Sequence, residues 1–186
     1  MMPLVTLPFD ATFPRITLEG EEAMVAASPL DQTKVELKRK ELQRRAALDK
    51  RAIADAAFAH AQDRLAGLRK AAQTALILND DKAIQRLAKE GMRVGRQIEK
   101  ISSDWVQGSK DLYRVDSTSE PTTRWREIQR KSDETQGMMG TIDLLVDMAD
   151  RKTGDDDAPA MVREQIQRKK DLYNGFRALN RFDVTA

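Results

Sequence analysis

Between residues 84 and 105 the apolar positions fall into an unbroken rhythm. Ile84, Leu87, Gly91, Val94, Ile98, Ile101 and Trp105 alternate steps of three and four. That spacing returns to one helix face at every turn and is the a/d seam on which coiled coils pack. Upstream, Leu42, Ala46, Ile53, Ala57, Ala61, Leu65, Leu68, Ala72 and Leu76 recur at steps of three, four or seven, again one helix face. Ser28-Pro29 starts this first helix, serine capping free N–H groups and proline taking the first helical position. Asn79-Asp80-Asp81 then interrupts it with short polar side chains suited to a turn and to capping a new helix. The pattern predicts a long antiparallel helical hairpin over residues 28–105.

Folding the arms at Asn79-Asp80 sets residue i opposite roughly residue 159 − i. Leu68 is then expected against Gly91, Ala72 against Leu87 and Ala61 against Ile98, large facing small in successive layers. Gly67 falls opposite Met92, between Gly91 and Gly95. A close approach of the two backbones there would offset the cost of a mid-helix glycine, about 1 kcal/mol against alanine. The first arm is the longer one, so residues 28 to about 52 are expected to need a further cover.

Residues 106–119 read as a polar loop, with Leu112 and Tyr113 as anchors. Ser119 and Pro121 restart a helix, and Trp125, Ile128, Ser132, Thr135, Met139, Ile142, Val146 and Ala149 resume the three-four alternation. Ser132 and Thr135 put polar groups on that seam, which predicts looser packing there. Gly137 and Gly140 suit either close packing or a kink. A turn rich in glycine and aspartate precedes Pro159. The last helix carries Val162, Ile166, Lys169, Tyr173, Phe176 and Asn180 on one face, with Leu172 and Leu179 beside it. The expected fold is therefore all-α, an elongated bundle in which the hairpin of residues 28–105 packs with a shorter one over 120–182.

Residues 1–27 have a different texture. Leu4, Val5, Leu7, Phe9, Phe13, Ile16 and Leu18 alternate with Pro3, Pro8, Pro14 and Gly20. The prolines forbid a long helix and favour extended backbone. Such a segment either folds onto its own helices, docks on another protein as a linear peptide, or stays disordered. Leu7, Phe9, Phe13 and Ile16 are its candidate partner-binding residues.

Composition fits long helices: 33% of the residues are charged and 5% aromatic, where sheets would want more β-branched and aromatic side chains. A net charge of +2 argues against a bulk electrostatic partner but hides local segregation. The base of the first helix holds Lys34, Lys38, Arg39, Lys40, Arg44, Arg45, Lys50 and Arg51 against Glu36, Glu41 and Asp49. Cations near a helix N-terminus oppose its dipole. They run around several sides of the cylinder, either as a solvated, ion-paired face or as a site for an anionic partner. Lys38, Arg39, Lys40, Arg44 and Arg45 are the candidate polyanion-binding residues, although no aromatic side chain lies among them for base stacking.

Candidate chemistry is sparse. His60 is the single histidine, and there is no cysteine, so neither a nucleophile triad nor a histidine or thiolate metal cluster can be assigned. Gly91-Met92-Arg93-Val94-Gly95 lies in mid-helix and not after a strand, so it is no phosphate loop. Asp155-Asp156-Asp157 lacks the alternating ligand spacing of a calcium loop and suits helix capping. No catalytic residue, metal, cofactor or small-molecule substrate is inferred. No apolar run spans a bilayer, and the proline-broken N-terminus does not resemble a signal peptide, which together point to the cytoplasm. The expected function is that of a non-enzymatic scaffold or adaptor binding protein partners through coiled-coil-like faces and its N-terminal peptide. The alternative is binding of nucleic acid or anionic membrane by the basic helix base, and a homodimer would also cover the unpaired half-helix.

Overall fold

The computed structural model describes residues 29–116, 120–153 and 157–185. All four of its elements are α-helices: α1 (Pro29–Ile77), α2 (Asp81–Val115), α3 (Pro121–Thr153) and α4 (Ala158–Thr185). The chain divides into two units, Met1–Arg39 and Lys40–Ala186. In the first, the described residues are the opening turns of α1, exposed throughout residues 31–39. The N-terminal candidates Leu7, Phe9, Phe13 and Ile16 lie outside the described residues.

The α1–α2 turn falls where the sequence predicts it. Asn79 takes a left-handed conformation with φ 51. The Asp80 N–H donates to the Ala75 carbonyl at 2.9 Å and the Asn79 N–H to that of Leu76 at 3.2 Å. These paired return bonds close a helix on a left-handed residue. Asp80 then accepts from the Ala83 N–H at 2.9 Å and caps α2. Two helix ends are thus satisfied within two residues.

Within the second unit the helices alternate in direction. Lys50 of α1 reaches Asp111 of α2 at 3.1 Å, and Arg64 reaches Glu90, an antiparallel register close to the expected one. Gly91 and Gly95 of α2 lie against Leu145 and Ile142 of α3. Gln165 of α4 donates to the Met139 carbonyl of α3 at 3.2 Å. Phe58 and Leu65 from α1, Val94, Ile98 and Trp105 from α2, Ile128, Met139 and Ile142 from α3, and Phe176 and Leu179 from α4 share one core. The all-α, two-hairpin architecture is as the periodicity predicts.

Three local expectations are corrected. The loop expected over 106–119 is helical as far as Val115, and the Asp116 N–H closes the helix on the Leu112 carbonyl at 2.8 Å. Val106, Gly108, Ser109, Leu112 and Tyr113 are all buried, and tertiary burial overrides the poor helix propensity of glycine and serine. The extension also covers the first hairpin arm earlier than expected: residues 40–46 are exposed, but Ala47 is already buried. Third, the close approach of α1 and α2 is not at Gly67, around which a Cβ would meet nothing within 4 Å. It is at Gly108, where a Cβ would lie 3.2 Å from Arg51 Cγ and 3.3 Å from Lys50 Cβ. Gly91 faces Leu145 of α3 instead of Leu68, and Gly137 and Gly140 stand in open space.

The glycines therefore separate into two kinds. Gly67→Ala is expected to stabilise the protein by about 0.5–1 kcal/mol through helix propensity. Gly108→Ala is expected to destabilise it by about 1–3 kcal/mol, because α1 itself must shift to admit the methyl group. Urea denaturation of both variants checks the pair, and equal effects would show the packing assignment to be wrong.

Candidate functional site

The last helix sits differently from its apolar pattern, and that determines what the surface offers. Its inward face is Ala158, Met161, Gln165, Arg168, Leu172, Phe176 and Leu179. Apart from Phe176, which is buried as expected, this is the face one residue earlier than the apolar one, about 100° round the helix. Val162, Ile166 and Tyr173, expected in the core, are exposed instead, at 38%, 50% and 54%.

A guanidinium sits on that inward face among the apolar side chains. The Arg168 side chain is 3% exposed. Its Nε donates to Glu99 at 3.3 Å and its Nη1 to Gln165 Oε1 at 3.0 Å, while Nη2 pairs with Glu164. Gly95 of α2 makes the room, since a Cβ there would be 2.9 Å from Arg168 Nη1. A buried cation with its donors occupied is tolerable, whereas an unpaired one is not.

Long cations fill other interfaces in the same way. Arg51 lies 4.9 Å over the Trp105 ring and bonds Glu127 at 2.9 Å. Lys131 lies 4.5 Å over Phe58 and reaches Asp55 and Glu134, both at 2.7 Å. Arg124 covers Tyr113 at 4.9 Å and donates to the Asp116 carbonyl. It thereby takes the inward position expected of Trp125, which is exposed. The polar seam residues Ser132 and Thr135 are buried, and Thr135 donates to the Lys131 carbonyl at 2.8 Å.

On α1 the lower part of the expected seam also points away from the core. Leu42, Ala46 and Ile53 are exposed, Leu42 at 68% and Ile53 at 71%. The buried face, Ala47, Ala54, Phe58, Ala61 and Leu65, starts one residue further on. Asp49 falls between Ala46 and Ile53 on the outer stripe and has no ion pair among the described residues.

The polyanion candidates are all exposed on α1. Lys38 and Arg39 belong to the first unit, and Lys40, Arg44 and Arg45 to the second. Arg44 is committed to Asp116 at 3.2 Å, and Lys50 to Asp111. His60 is exposed on α1. Among the described residues no group of three histidine, cysteine or acidic side chains could hold a metal ion, and no helix is long and apolar enough to cross a membrane.

A groove runs between α3 and α4. One end is a cavity of about 350 Å³ lined by Thr135, Gln136, Met139, Lys169, Leu172 and Tyr173. The other, of about 250 Å³, is lined by Asp143, Asp147, Asp150, Val162, Ile166 and Lys169. Lys169 lines both and crosses to Asp143 at 2.7 Å. The exposed residues of α4 form its wall. Sequence reasoning missed this groove because it assigned Val162, Ile166 and Tyr173 to the core.

Arg168→Ala is expected to destabilise the protein by about 1–3 kcal/mol, through the lost stem packing and the cavity left against Gly95. Arg168→Met keeps the length and the apolar stem and is expected within about 1 kcal/mol of the parent. Denaturation midpoints of the two variants test this, and a methionine variant as unstable as the alanine one would place the stabilisation in the ion pair. No known protein family, no curated protein and no solved structure matches the chain.

Proposed function

We propose that the protein is a non-enzymatic helical scaffold that docks a protein partner on the outer face of α1. The observation that carries this is the exposure of Leu42 and Ile53, with Ala46 between them, on a helix whose other face already serves the core. Burying a leucine or isoleucine fully is worth roughly 1.5–3 kcal/mol each, and the bundle leaves that contribution unused. Apolar residues repeating at helical spacing on a stable helix are what a partner helix or groove recognises. The N-terminal residues Leu7, Phe9, Phe13 and Ile16 are proposed as a second docking element of the same scaffold.

Polyanion binding is the weaker alternative within the second unit. There Arg44 and Lys50 are held by Asp116 and Asp111, and Glu41 and Asp49 stand among the remaining cations. Counterion release scales with the number of phosphates neutralised, and few free cations give little.

The double variant Leu42→Asp, Ile53→Asp distinguishes the readings. Both positions are exposed, so its unfolding free energy is expected within about 0.5 kcal/mol of the parent. Partner capture from the native cell is expected to be lost. Unchanged capture would remove the Leu42–Ile53 stripe of α1 as the docking face. Capture that survives the double variant but disappears at high salt would favour the polyanion alternative.

A further inference from the structure

The outer stripe of α1 and the exposed wall of the α3–α4 groove have the same layout. On α1 it reads Leu42, Ala46, Asp49, Ile53; on α4 it reads Val162, Ile166, Lys169, Tyr173. Both step by four, three and four, and both put two apolar residues, one charge and one further apolar residue in that order. Each spans twelve residues, roughly 16 Å of helix. The charges are opposite, and small Ala46 stands at the position of large Ile166.

We propose that the partner docked on α1 is a second copy of this chain, with the α1 stripe of one copy lying parallel to α4 in the α3–α4 groove of the next. The proposal rests on the reading of the outer face of α1 as a docking surface. In the parallel register Leu42 meets Val162, Ala46 meets Ile166, Asp49 meets Lys169 and Ile53 meets Tyr173. The antiparallel register would set Asp49 against Ile166 and leave its carboxylate beside an apolar side chain, which is costly. Pairing two α1 stripes with each other is disfavoured for a different reason, since neither stripe carries a cation to meet Asp49 of the other. In the groove the rim is acidic: Asp147, which is paired with Arg151 at 2.8 Å, and Asp150 line it. Lys169 is already bound to Asp143 on one side, and its side chain is 46% exposed, so Asp49 can approach from the other.

The two surfaces of this contact are different patches of the same protein. It is therefore head-to-tail, and it builds a ring or an open filament instead of stopping at a symmetric dimer. One helix laid in one groove is a small interface, so the association is expected to be weak and concentration-dependent.

Sedimentation velocity on the full chain tests it. The parent protein is expected to self-associate as concentration rises into the high micromolar range. Leu42→Asp with Ile53→Asp disables the stripe, and Ile166→Asp disables the groove wall. Each variant alone is expected to remain monomeric while keeping the helical circular dichroism of the parent. Mixed together, each supplies the surface the other lacks, and the mixture is expected to form a 1:1 dimer that grows no further. Asp49→Lys and Lys169→Asp should each weaken self-association about tenfold or more, and the two substitutions combined in one chain should restore it. A parent protein that stays monomeric overturns the proposal, as does a mixture that fails to dimerise. Loss of association in the stripe variant but not in the groove variant would overturn it in favour of α1–α1 pairing. None of these outcomes decides whether α1 captures another protein, which the capture experiment reads separately.

Discussion

The placement of Arg168 against Gly95 fixes how the fourth helix meets the rest of the bundle. A guanidinium this deep requires acceptors, and Glu99, Glu164 and Gln165 supply them from two helices. It also requires space, which only a glycine on α2 leaves. Those two requirements hold α4 in the rotation that puts Gln165 inward, where it bonds the Met139 carbonyl of α3. The exposed stripe on α4 follows from that rotation. A buried cation is weak evidence for stability, but it is effective at selecting one helix rotation over another, because the alternative would expose an apolar set and leave acceptors unmatched.

At the other helix interfaces the same device recurs with aromatic rings. Arg51 on Trp105, Lys131 on Phe58 and Arg124 on Tyr113 each bring an apolar stem to the edge of the core and a charged head to a hydrogen-bond acceptor. Cation–π contacts of this kind contribute roughly 0.5–2 kcal/mol, the larger values where the head is desolvated. With only 5% aromatic residues, the core depends on these stems to complete its layers. Charge in this protein is partly a packing material, which is why so charged a chain can form a defined bundle.

The coarse fold was legible because long seams with helical period and strong breaks leave few alternatives. The α2 seam from Ile84 to Trp105 and the α3 seam from Ile128 to Ala149 lie inward as their spacing demands. What was not legible has one physical source: a sequence shows which side chains are apolar, not which charged ones will be buried. Arg51 looked like part of a solvated basic face and is a lid on Trp105. Gly108 and Ser109 looked like the start of a loop; both are buried in α2, and Lys50 and Arg51 of α1 lie across Gly108. Val162, Ile166 and Tyr173 looked like core and are exposed, while Arg168 lies on the inward face. The polyanion candidates are exposed cations, but the carboxylate facing Arg44 comes from residue 116, far along the chain.

The misread seams and the candidate surfaces are the same residues. In both α1 and α4 the bundle's own core uses the face adjacent to the exposed apolar stripe. Two such stripes with matching step, matching length and opposite charge at the same position are more constrained than either alone. Asp49 and Lys169 each sit where a purely apolar seam would have continued. A charge there weakens packing onto an arbitrary hydrophobic surface and favours a partner carrying the opposite charge in register, the way polar seam residues set partner and alignment in coiled coils.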